Sequence, residues 1–213
     1  MFKKVFLTVV PLLFFSLSAN AGFVLTDYQT TGDNQAVLHE ETGIEWLNLN
    51  QTIGMSIGNV ERALERGEFA GWRMPSIEEV NRLYSDFFGF DGLSNVGNTR
   101  LEIADEPALE FASLFGETYR DRSNVYSFGQ YLNGDDGFAY RTTVKYNLFN
   151  ANYMDFNVGG VSDKNYFADT MGVFLVSGES VSASTSVPEP TSLAVLAAGL
   201  MCFGLSRRKK KNL

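Results

Sequence analysis

Two tryptophans, Trp46 and Trp72, and the arginine beside the second are the side chains best suited to hold a ligand. An indole ring offers a broad apolar face that can stack on a sugar, with an N–H that needs a partner. Both also suit a core, because one lies in a hairpin pattern and the other follows a glycine turn. Arg73 carries a planar fork that can clamp a carboxylate bidentately. In the turn Gly71-Trp72-Arg73-Met74-Pro75-Ser76 it can equally tie the chain to an acidic neighbour or a backbone carbonyl. Trp72 and Arg73 are thus the candidate ligand-binding residues, with a structural role as the alternative. Asn133, Asp135 and Asp136 form a third cluster, in a glycine-flanked loop. Such oxygen donors suit Ca²⁺. The twelve-residue loop with a terminal Glu is absent, however, and Asp-Gly clusters are ordinary hairpin turns. Calcium is the one cofactor this pattern admits; otherwise none is expected.

Nothing in the chain reads as catalytic. His39 is the only histidine, and the only cysteine is Cys202. A lone histidine does not make the usual zinc site, although carboxylates can assist. His39 has no nucleophile motif to serve, and the hairpin pattern puts it at the surface. Glu78 and Glu79 are adjacent on a predicted helix and diverge by about 100°. There is no P-loop and no dinucleotide fingerprint. The chain is therefore expected not to be an enzyme. The alternative is a carboxylate-based polysaccharide-active enzyme, whose two acids would be brought together only by the fold.

The ends of the chain are addresses. Lys3 and Lys4 precede an apolar run from Val5 to Leu17, and Ala19-Asn20-Ala21 has the small-residue spacing of a cleavage site. This predicts a signal peptide over 1–21, used by the Sec machinery and cut by signal peptidase between Ala21 and Gly22. At the other end stand Pro188, Glu189 and Pro190, then 15 uncharged residues from Thr191 to Leu205, then Arg207, Arg208, Lys209, Lys210 and Lys211. The prolines cannot continue a helix or a central strand. The basic cluster stays on the cytoplasmic side of a bilayer. A 15-residue helix rises about 22 Å, at ~1.5 Å per residue, against a hydrocarbon core of about 30 Å. So short a span suits a removable sorting tail better than a permanent anchor.

Between these ends, residues 22–190 carry ten Lys and Arg against 25 Asp and Glu, a formal charge of −15. The whole-chain value of −8 hides this asymmetry. Such a surface repels nucleic acid, which is not an expected partner. Without cysteines the domain must hold together by burial alone, which its size allows.

The elements that must position these residues follow from pattern. Ala36–His39 and Ile44–Leu47 flank a short Gly-containing loop and predict a hairpin. Ser56 caps a helix through Val60, Ala63 and Leu64 that stops at Gly67. Ser76 and Glu79 form a capping box, with Ile77, Val80, Leu83, Tyr84 and Phe87 on one face of the helix that follows. Residues 89–104 predict a loop. Glu106-Pro107 opens a third helix, which ends at Gly116. Strands are expected over Asn124–Tyr131, Phe138–Tyr146, Tyr153–Val158 and Gly172–Val176, the last buried on both faces. Early helices and late strands make an α+β fold with a mainly antiparallel sheet. The domain spans 22–178, a Ser-rich linker 179–187, and the sorting tail with its apolar helix 188–213.

Two resemblances bear on function. The order Pro188-Glu189-Pro190, apolar helix, basic terminus resembles the PEP-CTERM sorting signal of Gram-negative bacteria. That resemblance implies an exosortase-type membrane peptidase as partner. It also implies a protein held briefly in the inner membrane and then passed to the cell surface or extracellular matrix. The combination Glu41-Thr42-Gly43-Ile44-Glu45-Trp46-Leu47, the Gly71–Ser76 turn with Glu78-Glu79, and Gly172–Val176 resembles the Lcl C-terminal-like domain, with Met74 and Ser76 as departures from that pattern. This implies an exported module, C-type-lectin-like in fold, that contacts extracellular polysaccharide such as that of a biofilm.

Overall fold

The computed structural model describes residues 22–90, 99–132 and 138–178. The signal-peptide residues to Ala21, the loop with Asn133, Asp135 and Asp136, the Pro188-Glu189-Pro190 motif, the apolar helix and the Arg207–Lys211 cluster lie outside them. The chain divides after Ser180 into two compact units, and the described residues all belong to the first. Among them, no helix is long and apolar enough to cross a membrane.

The fold is α+β with mostly antiparallel sheets. A first sheet contains β1 (Phe23–Thr26), β2 (Ala36–His39), β3 (Ile44–Leu47), β4 (Trp72–Arg73) and β11 (Val176–Ser177), in the order β1-β2-β3-β11-β4. The expected hairpin is β2–β3, with His39 opposite Ile44. A second sheet contains β5 (Thr99–Ile103), β6 (Tyr119–Arg120), β7 (Asn124–Leu132), β8 (Phe138–Asn147), β9 (Asn152–Asp163) and β10 (Gly172–Val173). Its order is β10-β7-β8-β9-β5, with β6 also paired to β7. All its pairings are antiparallel except β10 with β7.

Among the described residues the α-helices are α1 (Ile57–Glu65), α2 (Ile77–Phe88) and α3 (Asp105–Phe115), and the first two begin where a side-chain cap is present. Ser56 caps α1, and Ser76 and Glu79 form a full capping box on α2. Gly67 and Gly89 take φ of 77° and 69° just past the helix ends, where a side chain would be strained.

Two expectations are corrected. Residues 89–104 are not all loop, because Thr99–Ile103 pairs with β9. Gly172–Val176 is buried throughout, as expected, but is not one strand. It starts at the edge of the second sheet as β10, crosses at Phe174 and Leu175, and enters the middle of the first sheet as β11, between β3 and β4. The crossing is tied down on both sides. Phe174 N–H donates to the Gln130 carbonyl at 3.0 Å, and Leu47 N–H donates to that of Leu175 at 2.9 Å. The buried Thr52 hydroxyl donates to the Val173 carbonyl and accepts its N–H, both at 2.8 Å.

The core fills the space under the second sheet with aromatic rings. Tyr84, Phe111, Phe115, Phe156 and Phe174 are fully buried. Tyr84 stands edge-on to Phe156 at 5.1 Å, and its hydroxyl bonds Thr142 of β8 at 2.5 Å. Gly129 of β7 faces the same way, and a Cβ there would meet the Phe174 ring at 1.9 Å. One face of the sheet is thereby sealed against helices, and the other carries residues that run from half-buried on β7 and β8 to exposed at Arg100 on β5.

Candidate functional site

The face of the second sheet away from the helices is where ligand-type side chains converge. Along β7, Val125, Ser127 and Gly129 point inward, so Tyr126 and Phe128 point outward by the two-residue period of a strand. Register then builds two rows across the sheet. Tyr119 pairs with Tyr126, Tyr126 with Lys145, Lys145 with Tyr153, and Tyr153 with Glu102. Phe128 pairs with Thr143, Thr143 with Asp155, and Asp155 with Arg100.

The rings form a continuous strip. Tyr126 stacks on Phe128 with centroids 5.0 Å apart and planes at 11°, and Tyr119 lies 5.7 Å from Tyr126. Cations fill the gap between strands. Lys145 Nζ is 5.5 Å from the Tyr126 ring centre and 5.1 Å from that of Tyr153. The Arg100 guanidinium lies 4.0 Å above Tyr153. It donates twice to Asp155, both bonds at 2.8 Å, and these bonds hold it charged by raising its pKa. Burial, with Asp121 nearby, pushes the Tyr126 hydroxyl above the ordinary tyrosine value, so it remains a neutral donor and acceptor. The strip therefore combines flat apolar faces with fixed charges and hydroxyls at its edges. Such a surface matches a ligand with an apolar C–H face and a polar rim.

The side chains singled out in the sequence lie elsewhere. Trp46 is 1 % exposed and packs edge-on against Phe174 at 5.8 Å, so it belongs to the core. Trp72 is half-buried in β4, edge-on to Tyr28 at 5.5 Å and packed against the cluster around α1. Arg73 donates to both Glu79 oxygens at 2.8 and 2.7 Å, and to the carbonyls of Met74 and Gly178. Glu79 also accepts the Ser76 N–H at 2.8 Å, so the Arg73 fork is engaged inside the domain. Trp72 and Arg73 sit in the first sheet, and the aromatic strip is on the second. Tyr119, Tyr126, Phe128 and Tyr153 were not singled out. Their signal was the alternation Asn124-Val125-Tyr126-Ser127-Phe128, which places two aromatics on one face.

The surface placement of His39 is corrected. It is 1 % exposed, and its ring stacks on Phe23 at 4.5 Å. β1 supplies that cover. Near it, a cleft of about 500 Å³ is lined by Gly22, Phe23, Asp86, Phe87, Glu106, Pro107 and Glu110.

Residues 186–209 match the PEP-CTERM protein-sorting motif. No curated protein and no solved structure matches the chain. The motif covers the tail alone, and marks this as an exported protein addressed to an exosortase and sorted to the surface.

Proposed function

We propose that the domain at 22–178 is a non-enzymatic module that holds extracellular polysaccharide on the aromatic face of its second sheet, and that the tail delivers it to the cell surface or matrix. The observation that carries this reading is the Tyr119–Tyr126–Phe128 strip with Lys145, Arg100 and Tyr153 beside it on one face. The Lcl C-terminal-like resemblance of the Glu41–Leu47 and Gly71–Ser76 stretches supports the same assignment. Their side chains serve the fold, and the binding face lies on other strands. The charge of −15 over residues 22–190 favours neutral or cationic glycans over polyanions.

The binding test is retention of the protein on polysaccharide from the producing organism's own matrix. Tyr126→Ala with Phe128→Ala removes two outward rings, which at ~0.5–1.5 kcal/mol each weakens binding by about fivefold to a hundredfold. Both rings are half-buried in β7, so the double variant also loses about 1–2 kcal/mol of cross-strand stabilisation, and retention is compared well below its melting temperature. Wild-type retention by the double variant sinks the binding assignment. For the tail, removal of Pro188, Glu189 and Pro190 abolishes processing and surface display; unchanged display refutes the sorting assignment.

A further inference from the structure

A second site, independent of the aromatic face, lies where β2, the turn after it and α2 meet. We propose that His39, Glu41 and Asp86 bind one divalent transition-metal ion of the Zn²⁺ type.

The first observation is a buried nitrogen. His39 Nε2 has no hydrogen-bond partner among the described residues, in a side chain only 2 % exposed. A buried polar atom left in this state requires an explanation, and an ion is one of the few available. Phe23 stacks on the ring at 19° between planes, which fixes the plane in which the nitrogen lies.

The second observation is what the nitrogen faces. His39 Nε2 lies 3.4 Å from Asp86 Oδ2. That is long for a hydrogen bond, but it equals the edge of a tetrahedron, about 3.3 Å, built on metal bonds of ~2.0–2.1 Å. One imidazole nitrogen of His39 and one carboxylate oxygen each from Glu41 and Asp86 all lie within 4.8 Å of one another. Three protein donors leave a fourth position for water, and the Glu41 side chain is 48 % exposed, on the open side. The imidazole selects the metal, since hard cations prefer all-oxygen sites and imidazole suits Zn²⁺, Cu²⁺ and Ni²⁺. Burial lowers the His39 pKa, which keeps the ring neutral and able to ligate at neutral pH.

The third observation is the cation already used there. Arg82 Nε donates to Asp86 Oδ2 at 3.1 Å, and its Nη2 is 3.7 Å from Glu41 Oε2. Its guanidinium bridges the two carboxylates and competes with a metal for them. The Arg82 side chain is 45 % exposed, so it can swing into solvent. Asp86 also lines the cleft that holds Glu106 and Glu110, whose charges favour entry of a cation.

The competition gives a test with a direction that a mere salt-bridge cluster would not show. The purified protein, stripped with chelator, is titrated with ZnCl₂ by calorimetry, with CaCl₂ in parallel. One Zn²⁺ binds per chain and raises the melting temperature, and Ca²⁺ does not compete. Glu41→Gln, in an exposed turn, weakens binding by at least about tenfold, the floor set by losses from second-sphere changes. His39→Asn does the same. Arg82→Ala tightens binding several-fold, because the internal competitor is gone. No Zn²⁺ binding in either the wild type or Arg82→Ala, or binding that survives Glu41→Gln unchanged, overturns the proposal. Circular dichroism of His39→Asn separates loss of a ligand from loss of the fold, and Glu41→Gln decides if that variant does not fold.

Discussion

Glu79→Ala is the substitution expected to loosen the corner between β4 and α2. The Glu79 side chain is 4 % exposed and serves two masters. It completes the capping box by accepting the Ser76 N–H at 2.8 Å, and it receives both prongs of Arg73. Truncation leaves the Ser76 N–H without its acceptor, a loss of about 1 kcal/mol. It also strips the guanidinium of two charge-assisted bonds. Breaking a buried pair costs ~3–5 kcal/mol, but the Arg73 side chain is 33 % exposed and water recovers part of that. The total is about 2–4 kcal/mol. At roughly 2–4 °C per kcal/mol for a domain of this size, the melting temperature falls by about 5–15 °C. Glu79→Gln keeps the shape and one acceptor, and should lose about half as much. The control is Glu78→Ala, an exposed position one residue earlier, with an effect within about 0.5 kcal/mol. Thermal unfolding followed by far-UV circular dichroism measures all three. If Glu79→Ala and Glu78→Ala melt together, the ion pair does not hold this corner and the reasoning fails.

Two further outcomes follow from the packing. Gly129→Ala places a methyl inside the Phe174 ring, which cannot retreat because Trp46 stands edge-on to it and it is fully buried. The expected loss is about 3 kcal/mol by chemical denaturation, and a midpoint equal to wild type would show that the two sheets are not locked there. His39 sets a pH dependence. Burial, the largest influence, lowers its pKa in the folded state, with Asp86 and Glu41 opposing and Arg82 assisting. The unfolded chain therefore takes up the proton first, and stability declines as pH falls below about 6.5. His39→Gln should flatten that decline in melting temperature; an identical slope in the variant would remove His39 as its source.

The parts of this fold that were legible in the sequence are those decided within a few residues. Ser76 with Glu79, Ser56 with Gly67, and the Ala36–Leu47 hairpin each carry their own hydrogen-bonding logic, so no distant partner was needed to read them. What was missed depends on distant pairing. Thr99–Ile103 becomes a strand because Arg100 meets Asp155 and Leu101 meets Met154, more than fifty residues away. The apolar run at Gly172–Val176 announces burial, but composition cannot say that its halves belong to different sheets. The residue that permits the crossing, Gly129, lies in another strand and matters only as the gap that Phe174 fills. His39 shows the same limit in a functional setting. Its own hairpin says surface, and it is buried because Phe23 covers it and α2 brings Asp86 to its nitrogen. The aromatic face repeats the lesson, since alternation in β7 shows two outward rings while Lys145, Tyr153 and Arg100 join them only through register. In this protein both candidate sites are products of cross-strand and strand-to-helix placement. Substitutions at residues with no local signature, such as Arg82 and Tyr153, are therefore the most direct way to separate binding from folding.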